Sequence, residues 1–237
     1  MSFQIRSGTA ADIDEFVSIV FSACESNLMH SVIIPHSVPS SPDFWRAGFV
    51  EDFESSHHTN PNITAYFLVV EDVSVSPVLA VGFAKWSALT KDAKIPPPPP
   101  HGAYPAEQDI AVEFFGTMHR KHEEIMGGKE HWCLELIATR PGFCGQGVGS
   151  MLVRWGCERA DADEVLAYLD ASPAGRGLYE KFGFCEVNKV RFLEDRGDGY
   201  EQCCMVRGPT GEGGYSLMRR SEESAQRSSW AILQIFR

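Results

Sequence analysis

The 237-residue sequence has no apolar run near the roughly 20 residues that a membrane-spanning helix needs. Its start shows no basic segment leading into an apolar stretch, the pattern of a secretory signal. Its seven cysteines are scattered, without the paired C-x-x-C spacing of zinc or redox sites. Together these absences predict a protein of the cytoplasm, with no membrane partner. Cations are in the minority: 21 Lys and Arg stand against 32 Asp and Glu, a net charge of −11. General nucleic-acid binding needs clustered cations to displace counterions, and this balance argues against it. The acidic surface is compatible with a cationic amine ligand, but serves solubility equally well. His119 and His122 stand three apart with neither the glutamate of H-E-x-x-H nor a third ligand nearby, so they predict a solvated helix face and no metal.

What is present reads as one α/β domain over residues 1–208, followed by a Gly- and Ser-rich tail over 209–237 with a short apolar end at 230–236. Phe3-Gln4-Ile5-Arg6 alternates as a strand does. Ile13, Phe16, Val17, Val20, Phe21 and Cys24 then recur along one helix face. Pro35 and Pro42 bound a break, after which Phe44, Trp45, Phe49, Val50 and Phe53 predict a second helix. Runs of β-branched and aromatic residues over 66–70 and 78–86 predict two antiparallel strands. Residues 94–105 form a linker in which five consecutive prolines, 96–100, favour a stiff polyproline II spacer or a recognition segment. Ile110, Ala111, Phe114, Phe115 and Met118 mark a further amphipathic helix. Strands follow over 132–139, 165–170, 184–192 and 202–206, with helices starting at Gly147 and after Ser172-Pro173.

The most informative local pattern is a glycine turn, Gly145-Gln146-Gly147-Val148-Gly149-Ser150, between a predicted strand and a predicted helix. The first amides of a helix lack internal partners and its dipole favours negative charge there, while glycines let a phosphate approach the backbone. A P-loop would continue Gly-Lys-Ser/Thr, and a dinucleotide fingerprint counted from Gly145 would need glycine at 150, where Ser150 stands. By itself the turn is equally well a tight structural connection.

Its surroundings resemble a known family. Ile137-Ala138-Thr139-Arg140-Pro141-Gly142-Phe143-Cys144 and the glycine turn are similar to the acetyl-CoA-binding motif of GNAT N-acetyltransferases. Leu178-Tyr179-Glu180-Lys181-Phe182-Gly183-Phe184 resembles the family's second hallmark, at family spacing. The resemblance implies an α/β (α+β) fold: a mixed, mostly antiparallel sheet of six or seven strands flanked by helices. It marks residues 91–130, with their proline run and helix, as an insertion between the third and fourth main strands. Cys144 departs from the pattern, which has arginine or glutamine at that position.

The same resemblance implies an N-acetyltransferase whose co-substrate is acetyl-CoA, with no metal, and whose acceptor is a small-molecule or peptide amine. Ile137, Ala138 and Thr139 would pair with the pantetheine arm. The amides of Gly145, Gln146, Gly147, Val148, Gly149 and Ser150 would hold the pyrophosphate, and Ser172 would contact CoA or cap its helix. Three residues are candidates for proton transfer. Glu135, which strict alternation places with Ile137 and Thr139, is a base or an ordinary ion-paired carboxylate. Asp170 is the alternative base. Tyr179 would protonate the departing thiolate or pack against the cofactor. A non-catalytic acyl-CoA-binding or partner-binding protein of the same fold is the competing reading. Phe44, Trp45, Phe114 and Phe115 fit either an aromatic acceptor pocket or the core.

Overall fold

A computed structural model describes residues 1–56 and 60–211. The predicted tail with its apolar end therefore lies almost wholly outside the described residues. Within the described residues seven strands form one sheet in the order β1-β2-β3-β4-β5-β7-β6, with β1 Phe3–Ser7, β2 Ile63–Asp72, β3 Leu79–Leu89, β4 His131–Thr139, β5 Leu166–Ala171, β6 Cys185–Phe192 and β7 Tyr200–Arg207. Every neighbouring pair is antiparallel except β4 and β5. The mixed, mostly antiparallel sheet predicted above is present. Among the described residues six helices flank it: α1 Ile13–Cys24, α2 Leu28–Ile33, α3 Ser41–Ser56, α4 Gln108–Met126, α5 Val148–Ala162 and α6 Arg176–Glu180. Among the described residues no helix is long and apolar enough to cross a membrane.

Alternation along the strands sorts the core onto two faces. One face carries Trp86, Leu134, Leu169 and Met205 against Leu152, Val153 and Tyr179 of α5 and α6. The other carries Phe67, Phe83 and Ala138 beneath α1 and α3, and Cys133, Tyr168, Cys204 and Val206 beneath α2 and α4. α2 was not predicted; it is six residues long, and its apolar positions Met29 and Ile33 are too few for a periodic signal. The helix expected from Ser172 is shorter than predicted. Residues 172–175 form a turn, and α6 proper starts at Arg176.

α5 is held unusually close to the sheet. The ring of Trp86, fully buried, lies against the backbone of Gly156 and donates its indole N–H to the Leu152 carbonyl at 3.1 Å. Any Cβ at 156 would overlap the ring, and Gly82 of β3 leaves equally little room beside Val148. Gly156→Val is expected to cost about 2–3 kcal/mol or more by overpacking, seen as a lower urea midpoint with unchanged slope. The C-terminal end of the sheet is fixed differently: Arg207 makes two bonds to Asp161, at 2.7 and 2.8 Å, and a third to the Phe182 carbonyl at 2.7 Å.

Candidate active site

The parallel ladder between β4 and β5 runs from His131↔Leu166 to Leu134↔Leu169 and stops there. β4 continues for five more residues, pairing only with β3 through Leu136↔Lys85, Ile137↔Ala84, Ala138↔Phe83 and Thr139↔Gly82. Over that length no strand among the described residues lies beside the edge of β4 facing β5, so the sheet opens between its two parallel strands. An unpaired strand edge offers backbone donors and acceptors to an extended ligand.

The glycine turn closes one end of this opening. Pro141–Phe143 makes a single 3-10 turn after β4, and the backbone reverses at Gly145 (φ 77°) and Gly147 (φ 92°). Both angles lie in the left-handed region that favours glycine. Gly149 serves a different purpose: a Cβ there would press on Leu178, 3.1 Å away, so its absence lets α5 approach α6. The first backbone bond of α5 runs from Met151 to the Gly147 carbonyl, leaving the amides of Val148, Gly149 and Ser150 without intrahelical acceptors. The strand exit is braced by Arg140, which donates to the Ala80 carbonyl (2.9 Å) and pairs with Glu15 of α1 (2.8 Å). Gln146 donates to the Gly142 carbonyl at 2.9 Å. Cys144, exposed, points its thiol at the carbonyls of Thr139 and Arg140, 3.9 and 3.7 Å away.

The ionisable candidates divide between the faces. Asp170 lies half-buried at the end of β5, on the α2/α4 face. Tyr168, two residues back on the same face, donates its hydroxyl to the Asp170 carboxylate at 2.7 Å, and Gln202 of β7 donates to the Asp170 carbonyl at 2.9 Å. Desolvation pushes the Asp170 carboxyl up to about 6, against the opposing pull of the Tyr168 and Cys204 hydrogen bonds. Tyr179 of α6 is buried, 6% exposed, on the α5 side, and burial raises its phenol well above the ordinary value.

Glu135 does not share the parity of Ile137 and Thr139. The β3–β4 register shifts between Lys85↔Leu136 and Trp86↔Leu134, so Glu135 is the extra residue of a bulge. Ile137 packs against the α5 cluster. The Glu135 carboxylate instead accepts from Ser87 and pairs with Lys85 at 2.7 Å, and Lys85 also binds Asp52 of α3 at 2.7 Å. Burial disfavours the Lys85 charge, but the two carboxylates outweigh it and hold the ammonium above its usual range. Glu135 and Asp170 flank Cys133, whose thiol is pushed up by burial and then by both charges.

Ser172 accepts from the Gly175 amide at 3.3 Å and so caps its turn. His122 is a correction to the predicted solvated face: it is buried at 8% exposure, its Nε2 lies 2.9 Å from that of His131, and its ring stacks on Tyr168. Phe44, Trp45, Phe114 and Phe115 all pack into the α2/α4 cluster. Tyr168 and Gln202 were missed by sequence reasoning. Tyr168 was within reach through the i, i+2 rule from Asp170, whereas Gln202 depends on strand order.

A mixed sheet that opens between its two parallel strands, with a glycine turn at a helix N-terminus beside the opening, defines an α/β class suited to an extended, phosphate-bearing ligand. Residues 102–186 match the family model of the acetyltransferase (GNAT) domain. The fold is shared with solved structures across nearly their whole length. Histone acetyltransferase HPA2 and related acetyltransferase from Corynebacterium glutamicum matches with a TM-score of 0.56 and 22% identity, covering 89% of this chain and 98% of that one. PaiA N-acetyltransferase from Thermoplasma acidophilum, in complex with coenzyme A, matches at 0.54 and 12%, covering 88% and 99%. An N-acetyltransferase from Staphylococcus aureus Mu50 matches at 0.53 and 14%, covering 88% and 99%. At these identities the likeness is one of fold. No curated protein matches the chain. Residues 102–186 thus match a GNAT acetyltransferase domain, and the fold around them is one that the N-acetyltransferases named above share.

Proposed function

We propose that the protein transfers an acetyl group from acetyl-CoA to an amine by direct attack, with the thioester placed where β4 and β5 part. The observation that carries this reading is the arrest of the β4–β5 ladder at Leu134↔Leu169, next to a turn whose helix-start amides have no intrahelical acceptor. The pantetheine arm pairs with the free edge at Ile137 and Thr139, and the pyrophosphate lies on the amides of residues 145–150. An amide near Ile137 or Ala138 polarises the thioester carbonyl, the logic of an oxyanion hole.

The amine nitrogen attacks the carbonyl carbon, the C–S bond breaks, and the nitrogen sheds a proton. Asp170 takes that proton. Its half-buried carboxylate titrates at about 6, within reach of neutral operating conditions, whereas Glu135 is committed to Lys85 and Ser87. Tyr179 returns a proton to the thiolate.

The reading is tested by thiol release from acetyl-CoA across small amines, polyamines, amino acids and peptide N-termini. CoA binding with no release for any acceptor selects the non-catalytic alternative. Tyr179→Phe is expected to lower kcat by more than about tenfold with CoA affinity nearly unchanged; an equal kcat removes Tyr179 as the acid.

A further inference from the structure

The reaction leaves the proline run of residues 96–100 unused, and its placement is informative. Proline fixes its own φ near −65° and forces the residue before it into extended backbone, so residues 95–99 are all held in the polyproline II form. Every peptide bond of the run is trans, and 93–100 carry neither helix nor strand.

Polyproline II has three residues per turn, so the segment has three ridges: Ile95 with Pro98, Lys94 with Pro97 and Pro100, and Pro96 with Pro99. Exposure follows that period. Ile95 and Pro98 are half-buried, while Lys94, Pro96, Pro97, Pro99 and Pro100 are exposed. One ridge lies on the body of the protein and two face outward. Both ends are fastened. Ile95 packs into the α2/α4 cluster and its carbonyl lies 3.2 Å from Nε2 of His119. Tyr104, 4% exposed, donates its hydroxyl to the Pro99 carbonyl at 2.9 Å and stacks on Phe115. The rod is thus preorganised, and a partner has little ordering entropy to supply.

We infer that this rod is a docking ligand for a protein module with an aromatic-lined, proline-reading groove bordered by carboxylates. Two adjacent proline ridges are what a P-x-x-P groove seats, and both outward ridges repeat proline at that spacing, Pro96 with Pro99 and Pro97 with Pro100. Lys94 continues the second ridge by one turn. It is an exposed cation with no ion pair among the described residues, on a chain of net charge −11. It supplies the charge that picks an acidic groove and fixes the direction of docking.

The test uses the intact protein titrated calorimetrically against a panel of purified SH3, WW and EVH1 domains, all readers of proline-rich segments. A domain with carboxylates beside its groove is expected to bind. Pro97→Ala with Pro100→Ala, and separately Lys94→Glu, are each expected to weaken that binding about tenfold or more. Thiol release from acetyl-CoA and the melting temperature serve as controls and should not move. The proposal is overturned if no domain of the panel binds the intact chain, including the case where a synthetic peptide of residues 91–104 binds but the protein does not. It is equally overturned if the double proline variant or Lys94→Glu binds as tightly as the parent.

Discussion

Gly147→Val is expected to fold and to lose at least about 100-fold in CoA affinity by calorimetry, a loss of roughly 2.7 kcal/mol. Two independent effects point the same way. At φ 92° the backbone of residue 147 sits where a β-branched side chain is strained, so valine drives the turn toward another conformation and scatters the amides. A Cβ built on the present backbone also meets no protein atom within 4 Å. The space it would fill is therefore the open side of the turn, which the pyrophosphate is proposed to occupy. Strain of this kind costs about 1–3 kcal/mol, which a domain anchored through Trp86 and Arg207 can absorb without unfolding. Gly142→Val is the matched control. Position 142 has equally open surroundings but no positive φ, and its variant should keep CoA affinity within about threefold. Unchanged affinity in Gly147→Val would remove the turn as the phosphate site.

The turn and its neighbours were readable in advance because their signals are local. Glycine at 145 and 147 reports a backbone angle, Gly183 (φ 85°) reports a helix stop, and apolar spacing reports α1, α4 and α5. The strand list was readable for the same reason. What escaped depends on pairing between distant segments. Nothing near Glu135 in sequence indicates a bulge, because the bulge is a property of how β4 registers on Lys85 and Trp86, some fifty residues earlier. One inserted residue turned the Glu135 side chain from the expected partners of Ile137 to Lys85 and Ser87. His122 escaped likewise, since its burial is decided by His131 and Tyr168. The linker was legible as stiff, but the ridge that packs down is fixed by Tyr104 and His119.

The correction at Glu135 shifts the expected base to Asp170, and Asp170→Asn should lower kcat by at least about 100-fold, the scale of a lost general base. Asparagine keeps an acceptor for the Tyr168 hydroxyl, and the Gln202 bond goes to the backbone carbonyl; the substitution removes the charge and little else. In the parent, kcat/KM should fall as pH drops through about 6, because a base works only when deprotonated. In Asp170→Asn that acidic limb should vanish from whatever activity remains. Stability should move the opposite way. A carboxyl whose folded-state pKa is raised from 3.8 to about 6 contributes stability that is full below pH 4 and lost as pH rises through 6. Above that pH the parent carries a half-buried carboxylate that desolvation disfavours, and the amide variant does not. Asp170→Asn should therefore melt higher than the parent at pH 8, by about 1–2 kcal/mol or roughly 3–6 °C, with little difference at pH 4. A variant that loses activity while gaining stability separates a catalytic charge from a structural one. If the acidic limb stays in Asp170→Asn and disappears in Glu135→Gln, the base is Glu135, and its pairing with Lys85 must open when substrate binds.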